Sequence, residues 1–203
     1  MAEENYYHTI EKPTTAEFTD RGSRFIAFAY SVDSIEAFKK CLSQVKELHP
    51  KSSHFCFAYR IGADGMTFRA TDAGEPSGSA GRPILGQIDT RGLTNTAVIV
   101  VRYFGGTLLG IPGLINAYKT TASLALQLTP IVRKLVLFTY QVECDYTVAN
   151  EFLKIIRQFD CIIHEQEMQL FCRYTIGVPR MHEDRVIGLL TTVRGLTLKK
   201  VTI

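Results

Sequence analysis

Residues 98–114, VIVVRYFGGTLLGIPGL, form the stretch that decides the fold around it. The apolar, β-branched run at 97–102 predicts a buried strand, which enters Gly105-Gly106 before a helix predicted over about 112–129. A glycine-rich turn between a strand and a helix leaves N–H groups at the positive end of the helix dipole, where anions bind. The alternative is a tight turn whose glycines only allow the helix to pack closely against the strand.

Strands and helices are predicted upstream of this stretch as well. Their bounds are residues 24–30 for a strand, 34–48 for a helix, 54–61 and 66–70 for a β-hairpin, and 79–88 for a second helix. Asp33 or Ser34 supplies the cap of the first helix. The inward face of that helix follows from helical spacing and carries Ile35, Phe38, Leu42 and Val45.

The last 73 residues, 131–203, form a regular series. The predicted elements are a strand at 131–144, a helix at 148–159, strands at 161–168 and 169–178, a helix at 180–193 and a strand at 196–202. The order βαββαβ is typical of the ferredoxin-like fold. We therefore expect an α+β chain of two domains, 1–130 and 131–203.

Composition excludes several classes of protein. Of the 203 residues, 46% are hydrophobic and 21% are charged, which excludes a disordered chain. The net charge of +3 is too small to predict a strongly basic nucleic-acid-binding domain, so a polyanion would have to bind through local clustering. No apolar run is long enough to span a bilayer, and the first ten residues do not resemble a secretory signal. The sequence predicts a cytoplasmic protein with no membrane partner.

The cysteines and histidines predict neither a metal site nor a cofactor. The five cysteines are scattered, with no CxxC and no zinc-ligand spacing, which favours reduced thiols packed as small hydrophobic groups. Walker A, GxGxxG and GxSxG motifs are also absent from the sequence.

A second glycine-rich loop lies at 71–81, TDAGEPSGSAG. It combines carboxylates, hydroxyls and glycines that let a ligand approach the backbone amides; these residues are Asp72, Gly74, Glu75, Ser77, Gly78, Ser79 and Gly81. The alternative is the start of a helix capped by Ser77 or Ser79.

Cationic and nucleophilic candidates lie on the neighbouring strands. Arg24 begins one strand, Arg82 begins a helix, and Arg102 ends the buried strand, where it is suited to bind phosphate or carboxylate. His54 and Cys56 face the same side of their strand, so a Cys–His pair is an alternative to a packed histidine and an inert thiol.

Two motifs together resemble the IMPACT/YigZ family. The motifs are DAGEPSGSAG at 72–81, followed by RPIL, and the run at 98–114. GSRFIA at 22–27 and the strand that contains His54 and Cys56 also match the family, in the same order along the chain. Ala73 stands where an acidic residue is common, which weakens any paired-acid or metal site, and Pro112 stands where glycine is common.

The resemblance carries implications for fold and function. It implies a ribosomal protein S5 domain-2-like first domain and a second domain similar to the last ferredoxin-like domain of elongation factor G. The eukaryotic member of the family is a translational regulator that competes for the activator of an amino-acid-starvation kinase; that partner does not carry over to bacteria.

We therefore expect a non-enzymatic regulator related to translation that binds RNA, the ribosome or another anionic ligand. The expected ligand-binding residues are Arg24, Asp72, Gly74, Glu75, Ser77, Gly78, Ser79, Arg82, Arg102, Tyr103, Gly105 and Gly106. One alternative is a protein–protein adaptor that uses the GEPSG loop. Another is a hydrolase or transferase acting on a small phosphorylated or peptide-like substrate, with His54, Asp72, Glu75 and Ser77 as catalytic groups. This expectation requires that the fold brings both loops together into one site that binds anionic groups.

Overall fold

The structure is a computed structural model that describes residues 5–52 and 54–201. It is α+β and divides into two compact units. One unit is 7–134; the other contains 135–201 together with Asn5 and Tyr6. The division falls four residues after the expected boundary at 130, because β7 (Ile131–Leu135) pairs with β1 (Tyr6–Ile10) in a two-stranded sheet.

The unit 7–134 is built on a five-stranded antiparallel sheet. In chain order its strands are β2 (Thr14–Asp20), β3 (Ser23–Ser31), β4 (His54–Ile61), β5 (Thr67–Thr71) and β6 (Thr96–Tyr103). In space the order is β2-β3-β6-β4-β5. The predicted hairpin of β4 and β5 is confirmed, whereas β1 and β2 were not predicted.

Helices cover both faces of this sheet. They are α1 (Ile35–Leu48), α2 (Gly81–Thr90) and α3 (Gly110–Gln127). One core lies beneath α2 and α3 and includes Val98 and Val100, while the other lies beneath α1 and includes Ile99 and Val101. Central β6 is therefore apolar on both sides, which explains its continuous hydrophobic run although the sheet is antiparallel.

The first helix begins as predicted. The Oγ of Ser34 accepts the N–H of Ala37 at 3.2 Å, so Ser34 and not Asp33 is the cap. Phe38 and Val45 are buried, but Ile35 is 38% exposed, because it lies at the first turn, where the helix does not reach the core.

The second unit confirms the predicted order βαββαβ. Its elements are β8 (Leu137–Cys144), α4 (Ala149–Gln158), β9 (Ile162–Met168), β10 (Cys172–Pro179), α5 (Glu183–Thr192) and β11 (Leu196–Lys200). The four strands are antiparallel in the order β11-β8-β10-β9. Side chains of α4 and α5 pack in one core against the same face of the sheet.

Three predicted bounds in this region are wrong. The strand expected at 131–144 is interrupted at Val136, because its two halves pair in different sheets. The strand expected from Gln169 begins at Cys172, since the intervening residues turn the chain between β9 and β10. The helix expected from Arg180 opens with a short 3-10 segment. Thr202, the expected end of the last strand, lies outside the described residues.

Candidate functional site

The two glycine-rich loops meet at one end of the five-stranded sheet. The first, 72–80, follows β5, and the second, 104–109, follows β6. Arg102 Nη1 donates to both carboxylate oxygens of Glu75, at 2.8 and 3.0 Å. The side chains of this ion pair are 8% and 4% exposed. A buried charge pair therefore joins Glu75 of the first loop to Arg102 near the end of β6, the strand that enters the second loop, and we call this end of the unit the loop junction.

The ion pair belongs to a chain of buried polar groups. Tyr118 of α3 donates its hydroxyl hydrogen to Glu75 Oε1 at 2.8 Å. Cys56 Sγ lies 3.3 Å from the Tyr118 hydroxyl and 2.9 Å from the carbonyl oxygen of Asp72. Burial raises the pKa of Cys56 to about 12 and raises the pKa of Tyr118 above its ordinary value. Both groups therefore stay protonated at neutral pH and serve as hydrogen-bond donors.

Asp72 caps the start of α2 from within the first loop. Its Oδ1 accepts the N–H groups of Ala80 and Gly81 at 3.0 and 2.8 Å, and its Oδ2 accepts the N–H of Gly78 at 2.8 Å. Burial opposes the charge of Asp72, but the bonds from Gly78, Gly81 and Ala80 outweigh burial and hold its pKa below the ordinary value. The amides offered to an external anion are thus already bound to a carboxylate of this chain.

The expected cap by Ser77 or Ser79 is wrong. Ala80 occupies the cap position, and no side-chain bond is made by the cap residue itself. Ser79 is buried and donates to the carbonyl oxygen of Pro76 at 2.6 Å, whereas Ser77 is exposed. Asp72 takes the capping role because the loop folds back over eight residues, a distance that local cap patterns do not cover.

His54 forms its side-chain hydrogen bond with the first loop and not with the thiol of Cys56. Its Nδ1 lies 3.0 Å from the carbonyl oxygen of Ala73, which can only accept a hydrogen bond, so Nδ1 is the protonated nitrogen in this contact. His54 and Cys56 do share a face of β4, as the spacing predicts. The Cys56 thiol, however, is directed to Asp72 and Tyr118.

Glycine is required at the second loop because the backbone packs closely there. A Cβ on Gly105 would lie 1.9 Å from the carbonyl carbon of Gly22, in the turn between β2 and β3. The hydroxyl oxygen of Ser23, the first residue of β3, accepts the N–H of Gly105 at 3.2 Å and lies 3.4 Å from Arg102 Nη2. The close-packing interpretation therefore holds for Gly105, whereas a Cβ on Gly106 would meet open space.

Arg24 and Tyr103 lie on the other face of the sheet. They are opposite one another in the β3–β6 register, while Arg102 is opposite Phe25. Tyr103 and His49 are joined at 2.9 Å at the end of α1. The structure therefore divides the expected ligand-binding residues between two faces.

Arg24 itself forms an exposed ion pair with Glu17, at 2.6 Å to each carboxylate oxygen. The hydrogen bond to Glu17 raises the pKa of Arg24, and the same bond lowers the pKa of Glu17.

Several groups at the loop junction face solvent. Gly74 and Ser77 in the first loop and Arg82 just after it are exposed. In the second loop, Phe104 and Leu108 are 57% and 81% exposed.

Ser23 and Tyr118 are functional candidates that the sequence analysis did not single out. Ser23 was visible only as part of GSRFIA, and Tyr118 fits the apolar helical spacing of α3, so both were unremarkable before the fold was known. Within residues 5–52 and 54–201, no three metal-ligating side chains converge, and no helix is long and apolar enough to cross a membrane.

The family model for the Impact N-terminal domain matches residues 21–126, which contain both loops. The IMPACT family member YigZ of Escherichia coli is 34% identical over 169 residues, covering 82% of this chain and 83% of the relative. The chain belongs to the IMPACT family. It is a YigZ-type member, and the IMPACT family member YvyE of Bacillus subtilis is also similar, with 32% identity over 200 residues, 91% of this chain and 92% of the relative.

Solved structures of similar chains extend the comparison of this IMPACT-family chain. A crystal structure described as that of a hypothetical protein is 31% identical, with a TM-score of 0.74 over 98% of both chains. A structure described as the two-domain translational regulator Yih1 is 28% identical over 60% of this chain and 47% of that chain. Its TM-score of 0.36 is too low to relate the two folds.

Proposed function

We propose that this IMPACT-family chain is a non-enzymatic regulator related to translation that binds RNA or the ribosome at the loop junction. The observation that carries the proposal is the Glu75–Arg102 pair, which brings both glycine-rich loops to one surface. The translational role follows from the family resemblance described above. We also infer that 7–134 has the ribosomal protein S5 domain-2-like fold and that the second unit is ferredoxin-like, from its strand order.

The bonding of the candidate catalytic groups favours binding over catalysis. The carboxylate of Asp72 accepts three backbone N–H groups, and that of Glu75 accepts bonds from Arg102 and Tyr118. A general acid or base needs its proton-transfer atom directed at a substrate. Ser77 is exposed, and a serine becomes a good nucleophile only when a neighbouring base accepts its proton.

Three exposed cations surround the loop junction and would carry phosphate contacts. Arg21 lies in the turn that packs against Gly105, and Arg82 is the second residue of α2. Lys51 is adjacent to Ser52, which donates to the carbonyl oxygen of Arg102 at 2.9 Å. Arg102 itself is occupied by Glu75 and is expected to position the loops rather than to bind phosphate. Binding through such contacts weakens as salt rises, because each contact releases counterions from the nucleic acid.

The proposal is tested by capture and by titration. Affinity capture of the chain from a bacterial lysate, with and without ribonuclease, is expected to recover ribosomal subunits or RNA. A labelled single-stranded RNA is then titrated against wild type, the Arg21→Ala/Arg82→Ala variant and the control Lys40→Ala, which removes an exposed charge from α1.

We expect the double variant to bind at least about tenfold more weakly, with the slope of log affinity against log salt reduced by about 1 for each arginine. Equal affinities for the double variant and the control would refute the proposed site.

A protein–protein adaptor is the second candidate, favoured by the exposed apolar side chains of the second loop. Phe104 and Leu108 are followed by Ile111 at the start of α3, which is 53% exposed. Clustered apolar side chains at a surface mark macromolecular contacts. Capture that survives both ribonuclease and high salt, but is lost in Leu108→Asp, would favour the adaptor over the RNA-binding regulator.

A further inference from the structure

The outer face of the four-stranded sheet, opposite α4 and α5, carries a broad cavity of about 490 Å³. Its charged lining residues are Glu143, Glu165, Glu167, Arg173 and Lys199. Three carboxylates thus oppose two cations on this face, so it repels rather than attracts a polyanion. This face is therefore separate in chemistry from the RNA surface proposed above.

The negative charge is concentrated on one side of the sheet. Arg173 is bound to Glu143, with its Nε 2.7 Å from a carboxylate oxygen, and that bond raises the pKa of Arg173. Lys199 lies on β11, at the far side. Glu165 and Glu167 lie on β9, where Arg173 is directly opposite Glu167 and Thr175 donates its hydroxyl hydrogen to Glu165 at 3.2 Å. The cavity still has one more carboxylate than cations, and two of its three carboxylates lie on that strand.

β9 is also the open edge of the sheet. It pairs with β10 on one side, and on the other side no strand among the described residues lies next to it. All seven of its residues are exposed. An exposed edge strand presents unbonded N–H and C=O groups that another extended chain can pair with. A second β9 would place carboxylates near carboxylates, which disfavours self-pairing and favours a cationic partner.

Apolar side chains continue the same edge at the turn between β9 and β10. Met168, Leu170 and Phe171 are 48%, 84% and 42% exposed. Tyr146, 54% exposed, donates its hydroxyl hydrogen to the carbonyl oxygen of Gln169 at 2.7 Å and so lies against this turn. The edge thus offers apolar contacts at one end and carboxylates along its length.

We propose that β9 and the adjoining cavity bind an extended, lysine- or arginine-rich peptide segment of a partner protein, which adds to the sheet as a fifth strand. Main-chain hydrogen bonds to β9 supply the pairing, and alternate cationic side chains of the segment contact Glu165 and Glu167. The apolar turn receives a hydrophobic residue at one end of the segment.

The test measures binding to the full chain by fluorescence anisotropy at low salt. The probe is a dye-labelled peptide of about eight alternating lysine and valine residues, a length typical of a strand. Its comparison peptides replace lysine by glutamate, or carry N-methyl groups on alternate backbone amides. The protein variants are Glu167→Lys, Glu165→Lys as a second choice should the first not fold, and the control Glu151→Lys on α4, which makes the same charge change on the other side of the sheet.

We expect the lysine peptide to bind and the glutamate peptide not to bind. Glu167→Lys is expected to weaken binding about tenfold, since attraction becomes repulsion, while Glu151→Lys stays within about twofold. Backbone methylation is expected to cost at least about tenfold, because it removes main-chain donors. Equal effects of Glu167→Lys and Glu151→Lys, or equal binding of the methylated peptide, would overturn the proposal.

Discussion

Glu75→Gln removes one of two buried charges at the loop junction while keeping the shape of the side chain. Arg102 then retains a guanidinium that is only 8% exposed, with no carboxylate to balance it. Removing one partner of a buried ion pair costs about 3–5 kcal/mol, because the remaining charge stays out of water. The amide oxygen of the new side chain would still accept one hydrogen bond from Arg102, so we expect the low end of that range, about 3 kcal/mol.

For a unit of this size, each kcal/mol of lost unfolding free energy lowers the melting temperature by roughly 3–5 °C. We therefore expect the melting temperature of 7–134 to fall by about 10–15 °C. Thermal unfolding followed by circular dichroism measures the fall in midpoint, urea unfolding measures the lost free energy, and amide hydrogen exchange assigns the loss to that unit rather than to the second.

The matched control is Glu17→Gln, which removes the same charge from the exposed pair with Arg24. The side chains of Arg24 and Glu17 are 54% and 45% exposed, so solvent screens the pair and we expect its loss to change the stability far less than loss of the buried pair does. If both variants lose the same stability, burial does not set the strength of the Glu75–Arg102 pair, and the reasoning fails.

Three further outcomes follow from the same region. Asp72→Ala removes the cap of α2 and is expected to lower the free energy of unfolding, measured in urea, by about 1–2 kcal/mol. Asp72→Asn is expected to lower it less. Because the folded pKa of Asp72 is lowered, its contribution is present above the ordinary carboxyl pKa and lost as pH falls through the lowered value, which the wild-type pH series will show and Asp72→Ala will not. Cys56, with its pKa raised to about 12, should resist iodoacetamide at neutral pH until the chain unfolds; rapid native labelling seen by mass spectrometry would contradict its burial. Gly105→Ala should destabilise by more than about 2 kcal/mol, since its Cβ would overlap the Gly22 backbone, whereas Gly86→Ala, which meets no atom within 4 Å, should stabilise α2 by up to about 1 kcal/mol; a reversed order of midpoints would refute this account.

Elements with a strong local pattern were predictable. The cap and length of α1, the buried strand β6 and the order of elements in the second unit all follow from the spacing of apolar residues and from turn residues. The strand β2 was missed because it is an edge strand whose residues are only partly buried, and its apolar positions, such as Ala16 and Phe18, are few. A weak pattern of that kind does not stand out from a loop.

The candidate site was predictable in its loops but not in its bonds. Both glycine-rich loops and the resemblance to the IMPACT family were present in the sequence, and the structure brings these loops together through Glu75 and Arg102. Strand alternation already implies that Tyr103 and its neighbour Arg102 lie on opposite faces of β6. The position of Arg24 opposite Tyr103 was not foreseen, because it depends on the register of β3 against β6, which residue type alone does not give.

Apart from β1, β2 and the break between β7 and β8, the sequence alone determined the kinds of element, their order and the chemical groups available, since these depend on residues within a few positions of each other. Only the tertiary structure decided which group each of them meets. Asp72 accepts hydrogen bonds from amides at the start of α2, and Glu75 accepts hydrogen bonds from Arg102 and Tyr118. On the outer face of the sheet in the second unit, two carboxylates lie along β9. The physical reason is that hydrogen bonds and charge pairs act through space over a few ångströms, between residues that the fold alone makes neighbours.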